Sequence, residues 1–268
     1  MTMQTTETTT NQGIALGTSA DLSRALAEIE RMLTPSTDID AVTDARVRDT
    51  YAAGLAWMQR FIMQPHPDLG RKGAVCPFAK PSHEEHALLF SAFDAAGMPF
   101  DTYIGTLMRL PYLFKRVAKE RPEPSELLSL AVYPLGLNGE DHYKFIDCAH
   151  MILKPFYMEC GLMLGEFHPA SNVRGAHSET FRPMRSDMPV LVLRAMALHD
   201  ALFIDGASTP IGMRVHELEC YMRWNAPRLS AAEKERVADR LAQRKAQLAA
   251  VDAVAQAGTD TAAQTAGA

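Results

Sequence analysis

Hydrophobic positions recur with a helical period at both ends of the chain and gather into short apolar runs in its middle. Leu22, Leu26, Ile29 and Leu33 lie at helical spacing behind Ser19-Ala20-Asp21, which offers an N-cap, and predict a helix ending near Leu33. A second helix is expected over 40–63, stopped by Pro65-His66-Pro67, and the Gly- and Pro-rich stretch 68–81 reads as irregular. Helical patterning resumes over 82–96 and 100–119, with Pro111 breaking or kinking the second of these. Ser129-Leu130-Ala131-Val132-Tyr133-Pro134 is a proline-terminated apolar run that suits a strand. A helix over 139–154 follows, kinked at Pro155. Segments 162–167 and 189–194 read as two more strands, the latter clearest because Val and Leu alternate between a proline and an arginine. Helices return after Asp205-Gly206 as far as Trp224. A charged amphipathic helix over 230–250 then presents Glu233, Lys234, Glu235 and Arg236 to solvent. Three strands among so many helices predict an α+β fold, a small, mostly antiparallel sheet of three or more strands covered by helices.

Length and composition set the frame. With 268 residues, 47% of them hydrophobic, the chain can bury a substantial core, and a single domain over 19–250 is expected between disordered tails at 1–18 and 251–268. Lys and Arg number 27 against 32 acidic residues, a net charge of −5, so no global field draws the protein to nucleic acid or an anionic membrane. No apolar run approaches the roughly 20 residues of a membrane span. The Thr-rich start does not read as a signal peptide, and a cytoplasmic protein is expected. Cys76, Cys148, Cys160 and Cys220 form no CxxC pair, which in a reducing compartment favours free thiols. No G-x-G-x-x-G, P-loop or G-x-S-x-G motif occurs, so nucleotide cradles and the hydrolase elbow have no support.

Two runs carry the candidate chemistry. Val75-Cys76-Pro77-Phe78-Ala79-Lys80 and Gly165-Glu166-Phe167-His168-Pro169 each place a nucleophilic or ligating side chain before a proline, in a segment pushed toward extended geometry. Arg71, Lys72 and Lys80 flank Cys76 and favour a thiolate there. His168 emerges at the end of an apolar strand, a frequent place for functional groups. Arg174, Arg182, Arg185 and Arg194 follow it and suit recognition of a carboxylate or phosphate, or else pair with Glu166, Glu179 and Asp187. His199 lies beside Asp200, which can orient its ring. His83-Glu84-Glu85-His86 is one residue short of the zinc-helix motif and reads as a solvated turn. His142, His150 and His216 read as surface or hydrogen-bonded core histidines, and His177 as part of a polar loop.

These blocks, with Arg185-Ser186-Asp187-Met188-Pro189 and the strand to Arg194, resemble a bacterial family of unknown function marked by C-P-F-A, F-H-P and a later P-x-P-LxxxR block. Asp187-Met188-Pro189 departs from the usual Ser-Pro-x-Pro of that block. The resemblance covers about 65–205. More distantly, Cys76 with Phe78, and His168-Pro169 with Ser171 and Arg174, are similar to blocks of the YqcI/YcgG-type proteins, some of which are haem-dependent N-hydroxylases. Here the proline follows the cysteine, and Asn172 replaces an arginine of that pattern.

Three expectations follow. The first, from the resemblance, is a haem-dependent oxygenase of specialised metabolism acting on a small amine or amino-acid-derived substrate. In it His168 is the axial ligand of haem b, Arg174, Arg185 and Arg194 meet the propionates, and Pro77, Phe78, Phe167, Ser171 and His199 line the substrate pocket beside Cys76. The second is a cofactor-free binding or accessory protein whose arginines hold a small anion. The third is thiol chemistry with Cys76 as nucleophile and His168 as base. All three take a small molecule as partner, exclude nucleic acid and membrane, and leave room for a homodimer. They share one geometric requirement, that Cys76 and His168 open onto the same cavity.

Overall fold

A computed structural model of the chain describes residues 18–121, 125–175 and 178–266, so the expected tail at 1–18, apart from Thr18, and His177 lie outside the described residues. Thr18 and Asp21 close a capping box at the start of α1 (Ser19–Arg31), the Asp21 N–H donating to Thr18 Oγ1 at 3.2 Å and the Thr18 N–H donating to the Asp21 carboxylate at 3.1 Å. The chain then makes the two-residue β1 (Thr34–Pro35) and α2 (Ala45–Trp57), capped by Asp44. A π-helical turn, Met58–Ile62, extends α2. After the irregular stretch comes the short α3 (Ala79–Glu84).

The next element corrects the sequence reading. Residues 82–96 are not one helix: they contain β2 (Leu88–Asp94), buried continuously from Leu88 to Phe93. A central strand covered on both faces loses its alternation, and its apolar run looks the same on paper as a buried helical turn. α4 (Phe100–Leu107) and α5 (Leu110–Glu120) are separate helices, because Pro111 sits in the first turn of α5, where its missing N–H costs nothing. β3 (Ser129–Leu135) follows. The helix expected from 139 becomes a π-helical turn, Tyr143–Cys148, leading into α6 (Ala149–Glu159), which carries Pro155 inside it. β4 (Leu162–Phe167) and β5 (Val190–Ala195) lie where expected. α7 (Ile211–Asn225) precedes α8 (Ala231–Ala266), which continues as far as Ala266 into the segment expected to be disordered beyond 250, its last two residues lying outside the described ones. Alanine, the strongest helix former, recurs along that segment.

The strands form one open sheet in the order β1-β2-β3-β5-β4. β2 and β3 are parallel and the other three pairings antiparallel, so the sheet is mostly antiparallel within a mixed α/β domain. Strand alternation sends Leu89, Phe93, Leu130, Val132, Leu191 and Leu193 to one face, where α1, α4, α5 and α6 pack around Tyr103, Leu107 and Tyr157. Leu88, Phe90, Ala131, Tyr133 and Val190 point to the other, against Tyr51, Trp57 and Met58. Gly54 permits that approach: a Cβ there would lie 2.2 Å from Tyr133 Oη. A third cluster joins α7 and α8 to Met158, Met163 and Met196.

One carboxylate ties α8 to this body. Asp205, with a side chain 2% exposed, accepts hydrogen bonds from Arg214 at 2.6 Å on α7 and from Arg240 at 3.0 Å and Arg244 at 2.7 Å on α8. Burial alone raises a carboxyl pKa, but the hydrogen bonds from Arg244, Arg240 and Arg214 hold Asp205 far below the ordinary carboxylate range. Among the described residues no helix is long and apolar enough to cross a membrane.

Candidate functional site

A cavity of about 360 Å³ opens on the α2 face of the sheet, toward its β4 edge. Its floor follows from register. Gly165 stands opposite Val192, and Met163 opposite Arg194. Arg194 faces Ser129 on β3, which in turn faces Leu88 on β2. Each of these residues contributes to the lining. Gly165 and Ser129 are the small members of this row, and the hollow lies where bulk is missing. A Cβ on Gly165 would lie 3.1 Å from the Phe167 ring, so any side chain there presses that ring aside by a few tenths of an ångström.

Trp57, Met58 and Ile62 form one wall, and the two candidate motifs supply the others. The Cys76 N–H donates to Ile62 O at 2.9 Å, and the Val75 N–H donates to Gln64 O at 2.8 Å, which closes the 65–74 loop upon itself. Arg71 Nη2 reinforces the closure by donating to Val75 O at 3.0 Å. Cys76 is thereby held, half-buried, on the cavity wall beside Pro77 and Phe78. The Arg194 guanidinium lies 4.5 Å over the Phe78 ring and lines the same cavity as Cys76. Opposite, the loop after β4 brings Phe181 and Met184 to the cavity, and His66 stacks on Phe181 at 4.2 Å, joining the two loops.

His168 is elsewhere, and the requirement that it share a cavity with Cys76 is not met. Its side chain is buried, Nε2 is 2.9 Å from Asp147 Oδ1, its ring packs 5.3 Å from that of His142, and it does not line the cavity. Its backbone explains the motif better than its ring does. The His168 N–H donates to Met184 O, and the His168 carbonyl accepts from the N–H groups of Ser171 and Ser186, so the strand end clasps both ends of the loop that walls the cavity. Pro169 removes a competing donor at the same point.

The arginines are likewise corrected. Arg174 pairs with Glu179 on the surface. Arg185 donates to Ser171 O at 2.9 Å. Arg194 lines the cavity but is held in a two-pronged pair by Asp200, at 2.5 and 2.9 Å. Ser171 is buried in the loop and outside the lining, whereas Phe167 and His199 are part of it. For a haem held by His168, Nε2 is paired with Asp147 and Nδ1 is buried without a partner, while Arg174 is paired with Glu179, Arg185 with Ser171 O and Arg194 with Asp200, so the three arginines do not converge on the ring.

The polar end of the cavity uses residues the sequence reading set aside. His150 and Lys154, one turn apart on α6, reach across the open edge of β4 to Glu166. His150 Nε2 donates to Leu164 O at 3.0 Å and lies 3.2 Å from Glu166 Oε2. Lys154 is neutralised by Glu217 at 2.6 Å and donates to Phe203 O at 3.1 Å. Burial, reinforced by the nearby Asp147 carboxylate, pushes the Glu166 carboxyl up to about 7. Burial and the Lys154 charge push the His150 imidazole down to about 4. Near neutrality the pair therefore consists of a carboxyl that exchanges its proton and an imidazole that stays uncharged. The i, i+4 spacing of His150 and Lys154, with Glu166 the lone charge in an apolar strand, was the available signal.

The family model for a domain of unknown function, DUF6875, matches residues 52–236. That span is more than half of the chain and includes every cavity element named above; the chain belongs to this family. Neither the curated proteins nor the solved structures contain a match.

Proposed function

We propose that this member of the DUF6875 family is an enzyme that takes a small, largely apolar molecule into the cavity and moves a proton with Glu166. The observation that carries the reading is the buried Glu166–His150 pair at the polar end of an otherwise apolar cavity. A general acid or base works best when its pKa lies near the operating pH, and enzymes raise carboxyl values to that range by burial. His150, fixed by its own hydrogen bond to Leu164 O, lies 3.2 Å from the carboxyl and adds no charge of its own. The cavity volume lies within the usual span for small-molecule sites, roughly 300–1,000 Å³.

The test begins with a metabolite screen read by thermal shift, repeated on Gly165→Leu, which fills the floor. Ligands of this site stabilise the wild type and not the variant. For a ligand that is turned over, Glu166→Gln lowers kcat by roughly 10²–10⁴-fold, the usual contribution of general acid–base catalysis. The wild-type rate then shows an inflection near pH 7. Equal stabilisation of Gly165→Leu, or full turnover by Glu166→Gln, overturns the reading.

A second reading rests on Cys76, whose half-buried thiol faces the same cavity near the Arg194 cation. In it the Cys76 sulfur bonds to an electrophilic substrate and gives its proton to solvent, with no part for His168. Loss of turnover in Cys76→Ala with Glu166→Gln unaffected would favour this chemistry over proton transfer.

A further inference from the structure

Where α6 ends against α7, away from the cavity lining, three side chains with metal-binding atoms meet. Glu159 closes α6, and His216 and Cys220 lie one turn apart on the same face of α7. Cys220 Sγ is 3.5 Å from His216 Nε2, and His216 Nδ1 is 3.5 Å from Glu159 Oε1. One potential ligand atom from each residue lies within 4.8 Å of the other two. Tetrahedral zinc holds sulfur at about 2.3 Å and nitrogen or oxygen at about 2.0–2.2 Å, which sets neighbouring ligand atoms roughly 3.4–3.6 Å apart. The separation of Nδ1 from Glu159 is already at that value, and no two of the three ligand atoms lie more than 4.8 Å apart.

The two ring nitrogens face different partners. His216 Nε2 lies 3.2 Å from Pro155 O and 3.5 Å from Cys220 Sγ, and Nδ1 faces the Glu159 carboxylate, which is also bound by Arg223. The side chains of Glu159 and His216 are 42% and 28% exposed and give an entry path, while Cys220 is buried beneath them.

We infer that Glu159, His216 and Cys220 form a binding site for a zinc-like divalent cation, with three protein ligands and one position left to water. On binding, the Cys220 S–H bond gives its proton to solvent as the sulfur–metal bond forms. Because a proton leaves as the metal binds, affinity rises with pH. The bound ion clamps α6 to α7, the helices already joined by the Lys154–Glu217 pair beside the cavity.

The test uses the full chain, freed of metal by a chelator and titrated with Co²⁺ and Zn²⁺. The expected result is one equivalent bound, intense tetrahedral cobalt absorption with a thiolate charge-transfer band, and a metal-dependent rise in Tm that grows with pH. Cys220→Ser abolishes the charge-transfer band. Arg223→Gln, an exposed change that frees Glu159 from its competitor, tightens binding about three- to tenfold and remains informative if the cysteine variant folds poorly. A cobalt complex without the charge-transfer band, Zn²⁺ affinity unchanged in Cys220→Ser or in Arg223→Gln, or no binding at all overturns the site.

Discussion

The ionisation assigned to Glu166 and His150 is measurable without knowing the substrate, because it couples to folding. The folded protein keeps the Glu166 proton up to about pH 7, whereas an ordinary glutamate in the unfolded chain releases it near 4.5. Over that window the native state binds the extra proton, and stability falls as pH rises. At about 1.4 kcal/mol per tenfold, the interval is worth about 3 kcal/mol. His150 does the reverse. Its unfolded imidazole takes up a proton below 6.5 and its folded one not until about 4, so stability falls by about 3 kcal/mol as pH drops through that window. Between pH 4.5 and 6.5 the two slopes oppose each other and the pair is nearly silent. Glu166→Gln keeps the shape and the hydrogen-bonding capacity while deleting the titration. The variant is therefore more stable than wild type by about 3 kcal/mol at pH 8 and equal to it near pH 4.5, and the His150 slope stands uncovered below 6.5. Urea unfolding followed by fluorescence, with Trp57 on the cavity wall as reporter, reads the difference at each pH. His150→Asn shows the opposite dependence, its stability relative to wild type improving toward acid pH. A Glu166→Gln curve that runs parallel to wild type from pH 4.5 to 8 refutes the ionisation, and with it the acid–base reading.

Two further outcomes test the frame around the site. Asp205→Asn leaves three guanidinium groups facing a neutral amide and costs about 3 kcal/mol at pH 7, or about 6–12 °C in Tm, with α8 the first element to lose protection in hydrogen exchange. Because the folded Asp205 carboxyl lies below its ordinary value of 3.8, that contribution is present above this pH and fades only as pH falls well beneath it, where variant and wild type converge. Gly54→Ala drives a methyl into Tyr133 Oη and costs about 1–3 kcal/mol in chemical denaturation, part of which Tyr133→Phe restores by removing the oxygen.

Much of the architecture was legible because most elements keep one exposed side. α1 shows its helical stripe, and β4 and β5 show short apolar runs bounded by turns. β2 was misread for the opposite reason: Leu88 to Phe93 are buried on both faces, and neither period survives. The extension of α8 past 250 was missed because its Ala- and Gln-rich composition fits a solvated helix as well as a disordered tail. Of the site, Cys76, Pro77, Phe78, Phe167, Arg194 and His199 were placed on one cavity by two motifs and a strand. His150 and Lys154 were not: their i, i+4 spacing marks a shared helix face, but their meeting with Glu166 depends on α6 packing across the edge of β4, a long-range contact.

The two motifs serve the loops that wall the cavity. Cys76-Pro77 and His168-Pro169 each follow a backbone closure, the first between 62–64 and 75–76, the second between 168 and 184–186. Both closures fix a loop that walls the cavity. A residue preceding proline in such a place is chosen first for backbone geometry, and its side chain becomes reactive only if the packing leaves it facing open space. Cys76 meets that condition and His168 does not, because its ring is buried against Asp147 and His142, off the cavity lining. Variants of the second motif therefore act by loosening the loop: His168→Asn, which keeps the backbone donor and acceptor, retains ligand binding at the cavity, whereas Pro169→Gly weakens it. The opposite ranking, measured with any ligand that Gly165→Leu excludes, would return the imidazole to the site.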